Sequence, residues 1–227
     1  MPVSPATTRS TRLGRPRKLS HEAVLDAALA LLAEITPDEF TLAKLAGRLG
    51  ASTMSLYTYY PSRDALLEAA AERAFGQFQA PAAKPGWQET VLDWLWALQR
   101  HVERHPVAIR LMAWQGRVPM AWLKIWAPIL KLLADQGLAG RDLALVFDWF
   151  INAAIGLIVT QTHTLSVAPS AGIGDVGTLP PEDGKLLLAY LYDLQALGRE
   201  ERFELGFCRL IEGLERSLAT SRSSGSR

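Results

Sequence analysis

Six hydroxyl-bearing side chains, Thr53, Ser55, Tyr57, Thr58, Tyr59 and Tyr60, crowd one stretch that carries no charge of its own. Hydroxyls donate to phosphate oxygens and meet base edges, and the carbons of Thr and Tyr touch thymine methyls. Leu56 is the clear inward residue of the stretch, with Met54 a second candidate, and Arg63 just beyond is placed for a phosphate. Such a stretch is either a nucleic-acid surface or a solvated polar helix lying on a core. A net charge of +1 says nothing about nucleic acid, but its distribution does. Residues 1–21 hold Arg9, Arg12, Arg15, Arg17 and Lys18 and no acid, so the excess sits in one arm. Gly14-Arg15-Pro16-Arg17-Lys18 looks like the core of an AT-hook, an extended segment that fits a narrow A·T-rich minor groove. The plainer reading of the arm is a tail that contacts nothing specific.

A second group of residues suits ligand binding. All seven tryptophans lie between Trp87 and Trp149. Trp94, Trp96, Trp114, Trp122, Trp126 and Trp149 are candidates to line an apolar pocket, with Gln115, Asn152, Gln161 or His163 as the polar groups that orient a ligand. Taken singly, each tryptophan reads as ordinary core. No cluster of charge is present to hold a phosphate or a sugar acid, so the expected ligand is apolar or aromatic. His101 and His105 share a helix face but lack a clear third ligand, so no metal is expected. The chain has no G-x-S-x-G, no phosphate-binding glycine loop and no metal-site cysteine cluster, hence no catalytic constellation and no implied cofactor. The single cysteine, Cys208, excludes an internal disulfide and fits a reducing cytoplasm, and no hydrophobic N-terminal signal segment is present.

The elements that must position these groups are helices. Thr41 is a good N-cap, Leu42, Leu45, Ala46 and Leu49 make one stripe, and Gly50 follows where a helix end favours positive φ. Ser52 caps a second short helix that Pro61 closes. Two short helices around a tight glycine turn form the helix-turn-helix arrangement, whose second helix enters the major groove. Ser20 caps an earlier bracing helix, with Val24, Leu25, Ala28, Leu31, Leu32 and Ile35 inward and Thr36-Pro37 at its end. Ser62 caps a later one running to about Phe78. Pro81, Pro85 and Gly86 mark a boundary. Beyond it the periodicity predicts helices from Trp87, from Pro106 through Trp114, from Pro119 with a kink at Pro128, and over 142–164, 183–197 and 200–219. A Gly/Pro/Ser loop occupies 166–182. The apolar run Leu143–Val159 is interrupted by Asp148 and Asn152, which suits a buried helix better than a membrane span. No period-2 alternation of useful length predicts a sheet.

Residues 45–70, LAGRLGASTMSLYTYYPSRDALLEAA, resemble the DNA-binding segment of the TetR (tetracycline-repressor-like) family. The likeness rests on Leu45-Ala46, Leu49-Gly50, Leu56-Tyr57, Tyr59-Tyr60, and Arg63 followed by Leu66-Leu67. Arg63 stands where the family most often has lysine. By motif position the resemblance implies that Arg15, Arg17 and Lys18 of the arm contact DNA, that Thr41 and Lys44 meet the backbone, that Thr53, Met54, Ser55, Tyr57 and Tyr59 face the groove, and that Arg63 holds the far phosphate. The closing helix, RFELGFCRLIEGLERSL, also resembles that of many TetR-family chains, whose last two long helices form a four-helix interface with a second subunit. It implies a homodimer with Gly206, Phe207, Leu210, Gly213 and Leu214 at the seam, and a ligand cavity in the second domain.

The expectation is therefore an all-α, cytoplasmic, DNA-binding regulator without membrane segments, a repressor released from a palindromic operator on double-stranded DNA by an apolar or aromatic effector. Its parts are a basic arm (1–19), a helix-turn-helix domain (20–78), a ligand-binding and dimerisation domain (86–220) and a short tail (221–227). The rival readings are a small-molecule carrier that keeps the helix-turn-helix as scaffold only, and an enzyme using the apolar cavity.

Overall fold

The computed structural model describes residues 19–112, 118–163 and 178–224, and among them every regular element is helical. Ten helices run in order: α1 (His21–Leu32), α2 (Leu42–Leu49), α3 (Thr53–Tyr57), α4 (Arg63–Gly76), α5 (Trp87–Arg104), α6 (Val107–Arg110), α7 (Met120–Asp135), α8 (Gly140–His163), α9 (Pro181–Ala196) and α10 (Arg199–Ser224). The N-caps expected at Ser20, Thr41, Ser52 and Ser62 are all present, each side chain accepting from the backbone N–H three residues on. Gly50 adopts φ 62°, and the Ala51 N–H bonds Ala46 O at 3.0 Å, which closes α2 and turns the chain into α3.

α1, α2, α3 and α4 enclose Val24, Ala28, Leu32, Phe40, Leu45, Leu56, Leu66 and Leu67. α1 stops at Leu32, before the expected Thr36-Pro37 end, because Thr36 and Glu39 form a local turn. The Thr36 N–H and hydroxyl both donate to the Glu39 carboxylate at 2.9 Å. α6 is one turn long where a helix through Trp114 was expected. It buries only Ala108, too little apolar face to hold a longer helix.

Beyond α4, the tryptophans pack on one another. Trp126 lies 4.6 Å from Trp94 and 5.5 Å from Trp122, ring centre to ring centre, and Trp122 reaches Phe75 of α4 at 5.2 Å. Phe147 and Phe150 of α8 close the far side of Trp126. α8 and α10 run antiparallel: Leu157 faces Gly206, Trp149 faces Gly213, and Asp142 meets Ser221.

α8 departs from the sequence expectation. It is long and apolar enough to cross a membrane by length and composition, yet only 17% of its apolar window is buried within the chain. Phe150, Ala154 and Ile158 face inward, whereas Leu145, Trp149, Asn152 and Gly156 form an exposed stripe. It is thus a half-covered helix rather than a buried one. α9 also stands largely uncovered: Leu186, Leu188, Tyr190 and Tyr192 are exposed, and Gly184 is the residue it buries.

Candidate nucleic-acid interface

Leu56 is fully buried under α3 and fixes which side of that helix faces out. Thr53, Met54, Tyr57 and Thr58 lie on the outer side, with Met54 76% and Tyr57 49% exposed. Met54 therefore does not share the core with Leu56. Thr58 joins the outer face although it was not among the expected contacts, and its spacing of four from Met54 was the available signal. The Ser55 hydroxyl is 2.8 Å from that of Ser52, inside the capping arrangement of α3. Thr41 is exposed at the start of α2. Lys44 is exposed beside it, its Nζ donating to Glu39 O at 2.8 Å. Arg15, Arg17 and Lys18 lie outside the described residues.

Two expected contacts point elsewhere. The Tyr59 hydroxyl donates to Leu19 O at 2.9 Å, and its ring meets His21 edge-on at 5.2 Å. Tyr60 grips the same histidine at 5.4 Å and donates to His21 O. These aromatics clasp the start of α1 to the end of α3, so Tyr59 is a brace and not a reading residue. Arg63 donates through Nε to Phe40 O at 2.9 Å and through Nη2 to Pro37 O, and Nη1 pairs with Asp64. Its guanidinium ties the α1–α2 loop to the first turn of α4 through those two carbonyls. The outward cation expected at position 63 is instead an internal clamp. Arg48, on α2, is likewise committed to Glu34, just past the end of α1, through two bonds of 2.8 Å.

α4 belongs to this domain and also packs along α7. Lys124 pairs with Glu72 at 2.9 Å, and the Met120 N–H reaches Glu68 at 3.3 Å. His101 of α5, 2% exposed, bonds Ala74 O in the last turns of α4 at 2.9 Å. Burial first, and then the charge of neighbouring His105, push the His101 pKa down to about 4 from its ordinary 6.5, and the bond to Ala74 works weakly the other way. The unfolded chain therefore takes up this proton before the native state as pH falls. The stability gained from neutral His101 is complete above about pH 6.5, declines between 6.5 and 4, and is lost below. Urea unfolding at pH 5 should show a free energy roughly 2 kcal/mol lower than at pH 7 from this group. His101→Gln, which keeps a donor but does not titrate, should remove that share.

Of the expected ligand-binding residues, Trp94 and Trp122 each pack on Trp126, Trp149 lies apart over Gly213, and exposed Asn152 donates to Asp148 O at 2.9 Å. They do not surround one chamber. Trp114 and Gln115 lie outside the described residues, as does the side chain of His163. A cavity of about 690 Å³ opens instead between the 80–86 segment, the first turns of α5 and the second half of α7, lined by Trp87, Trp94, Pro128, Ile129 and Leu132. A smaller one of about 230 Å³ continues past Ala80 and Pro128 to Phe75 and Phe78 of α4. The Nε1 groups of Trp94 and Trp126 are buried without hydrogen-bond partners. The expected dimer residues are also turned inward: Phe207 packs on Trp96 at 5.1 Å, Leu210 and Leu214 are buried, and Gly206 and Gly213 admit Leu157 and Trp149 of the same chain.

Residues 24–70 match the family model for bacterial regulatory proteins of the tetR family. That segment is a TetR-family DNA-binding segment. The chain is 26% identical over 202 residues to the class D tetracycline repressor of Escherichia coli, across 87% of this chain and 90% of that one. Apo ActR from Streptomyces coelicolor superposes with a TM-score of 0.67 at 24% identity, over 92% of this chain and all of that one. ActR in complex with actinorhodin gives 0.65 at 24% identity, over 89% and 99%. The α2–α3 pair is thus the helix-turn-helix of a TetR-family DNA-binding transcriptional regulator.

Proposed function

We propose that the protein is a ligand-responsive repressor that binds a quasi-palindromic operator as a homodimer. Residues 20–78 read DNA with the 1–19 arm on the backbone or minor groove, and residues 86–220 dimerise and take an apolar or aromatic effector. The observation that carries the coupling is the shared position of α4: one face closes the helix-turn-helix core, and the other bears on α7 and His101. The effector site best supported is the cavity against Trp94 and Pro128, because it adjoins the 80–86 segment leading back to α4 and is walled largely by apolar side chains. That ActR forms a complex with actinorhodin on the same fold supports a small-molecule effector.

Dimerisation is supported by the uncovered apolar stripe of α8. Paired with the same face of a second copy, Leu145 and Trp149 leave water, and the two α3 helices are set about one DNA turn apart. The test is fluorescence anisotropy of the full chain on duplexes from upstream of its own coding region, over a salt series. Compounds are screened in parallel by quenching of tryptophan fluorescence. Tight, competitor-resistant binding that falls when a quenching compound saturates the protein is expected. Operator affinity that stays flat at saturation would sink the ligand-responsive reading.

A further inference from the structure

The outer face of α3 carries Thr53, Met54, Tyr57 and Thr58 and no Arg, Lys, Asn, Gln, Asp or Glu. Bidentate reading of guanine O6 and N7, or of adenine N6 and N7, needs a side chain that presents two polar atoms in one plane, and none is available there. Arg63 and Tyr59, which would have extended the polar surface, are held against Phe40 O and Leu19 O. Ser55 is engaged with Ser52. What remains at the centre is the long, polarisable thioether of Met54, the most exposed large apolar side chain of the helix-turn-helix, one turn from the Tyr57 ring. An exposed methionine flanked by hydroxyls finds its complement where the major groove is itself apolar, at the thymine C5 methyl.

Resting on the DNA-binding reading above, we propose that this regulator specifies its operator chiefly through thymine methyl groups, contacted by Met54 and by the ring of Tyr57. Thr53 and Thr58 supply single hydrogen bonds or methyl contacts at the edges of the same patch. Both principal side chains are solvent-exposed, so truncating them leaves the domain core of Leu45, Leu56 and Leu66 intact.

The test uses the full-length protein. An operator is selected from random duplexes, and each thymine in it is then replaced singly by deoxyuridine, which removes the methyl and leaves Watson–Crick pairing unchanged. Loss of one buried methyl should weaken binding roughly fourfold, and symmetric replacement in both half-sites about fifteenfold. Met54→Ala should weaken the parent operator and erase the deoxyuridine effect at its position, and Tyr57→Ala should do so at a neighbouring one. An enriched operator that tolerates deoxyuridine throughout would overturn the proposal while leaving the regulator reading in place. Sensitivity that persists in both variants would also overturn it, by assigning the methyls to another element. Failure to enrich any sequence would instead count against sequence-specific DNA binding itself.

Discussion

Leu145→Glu and Leu205→Glu, introduced together, are expected to leave a folded monomer that no longer holds its operator. Leu145 is 55% and Leu205 58% exposed in the single chain, so neither carboxylate disturbs the monomer core. Placed in a two-fold interface, each would be buried against its apolar surroundings without a partner, a cost of several kcal/mol per ion. A dimer on two half-sites gains affinity because the second contact is intramolecular. Its loss should weaken operator binding by about 10² to 10⁴. Sedimentation velocity reads the mass, circular dichroism the fold, and anisotropy the operator. A variant that stays dimeric would move the interface away from the α8–α10 outer face, and the exposed Leu186, Tyr190 and Tyr192 of α9 would become the surface to mutate next.

The second large effect is expected at Trp126. Its ring contacts Trp94, Trp122, Phe147 and Phe150 and is 2% exposed, so it joins α5, α7 and α8 at one point. Trp126→Ala should destabilise by about 3–5 kcal/mol, since the surrounding rings cannot collapse into the space. For a chain of this size that corresponds to a fall in Tm of roughly 10 °C. Trp126→Phe should cost much less, because the indole N–H that it removes has no hydrogen-bond partner and the smaller ring still fills most of the site. Thermal unfolding of the two variants, compared at equal protein concentration, checks both values. Equal losses would show that the N–H is bonded in solution, by water or by effector.

Much of the DNA-binding half was legible in the chain. Caps at Ser20, Thr41, Ser52 and Ser62 and the positive-φ Gly50 are local rules, decided by backbone geometry within a few residues, and the structure keeps each one, whereas α3 ends at Tyr57, ahead of the Pro61 expected to close it. The same holds for Leu56, whose inward direction follows from helical spacing. The DNA-contact roles implied for Tyr59 and Arg63 depended instead on what lay across the domain. A phenol or a guanidinium is long enough to serve either DNA or the protein's own carbonyls, and Leu19 O, Pro37 O and Phe40 O came within reach only once the helices were assembled.

In the second half the sequence determined that helices form and which of their faces are apolar. Tertiary structure alone decided what those faces meet. The glycine-bearing stripe of α10 looked suited to a second subunit, yet it is filled by Leu157 and by the edge of Trp149 of the same chain, and the uncovered surface is the adjoining stripe of α8 through Leu145, Trp149, Asn152 and Gly156. Of the tryptophans, candidates for a cavity wall, Trp122 and Trp126 pack into the core, while Trp94 also lines the larger opening under the 80–86 segment. The physical reason is common to both. Apolar periodicity records that a face must leave water, which the hydrophobic effect enforces without direction. Shape complementarity among distant helices then selects the partner, and that information is spread over the whole assembled chain.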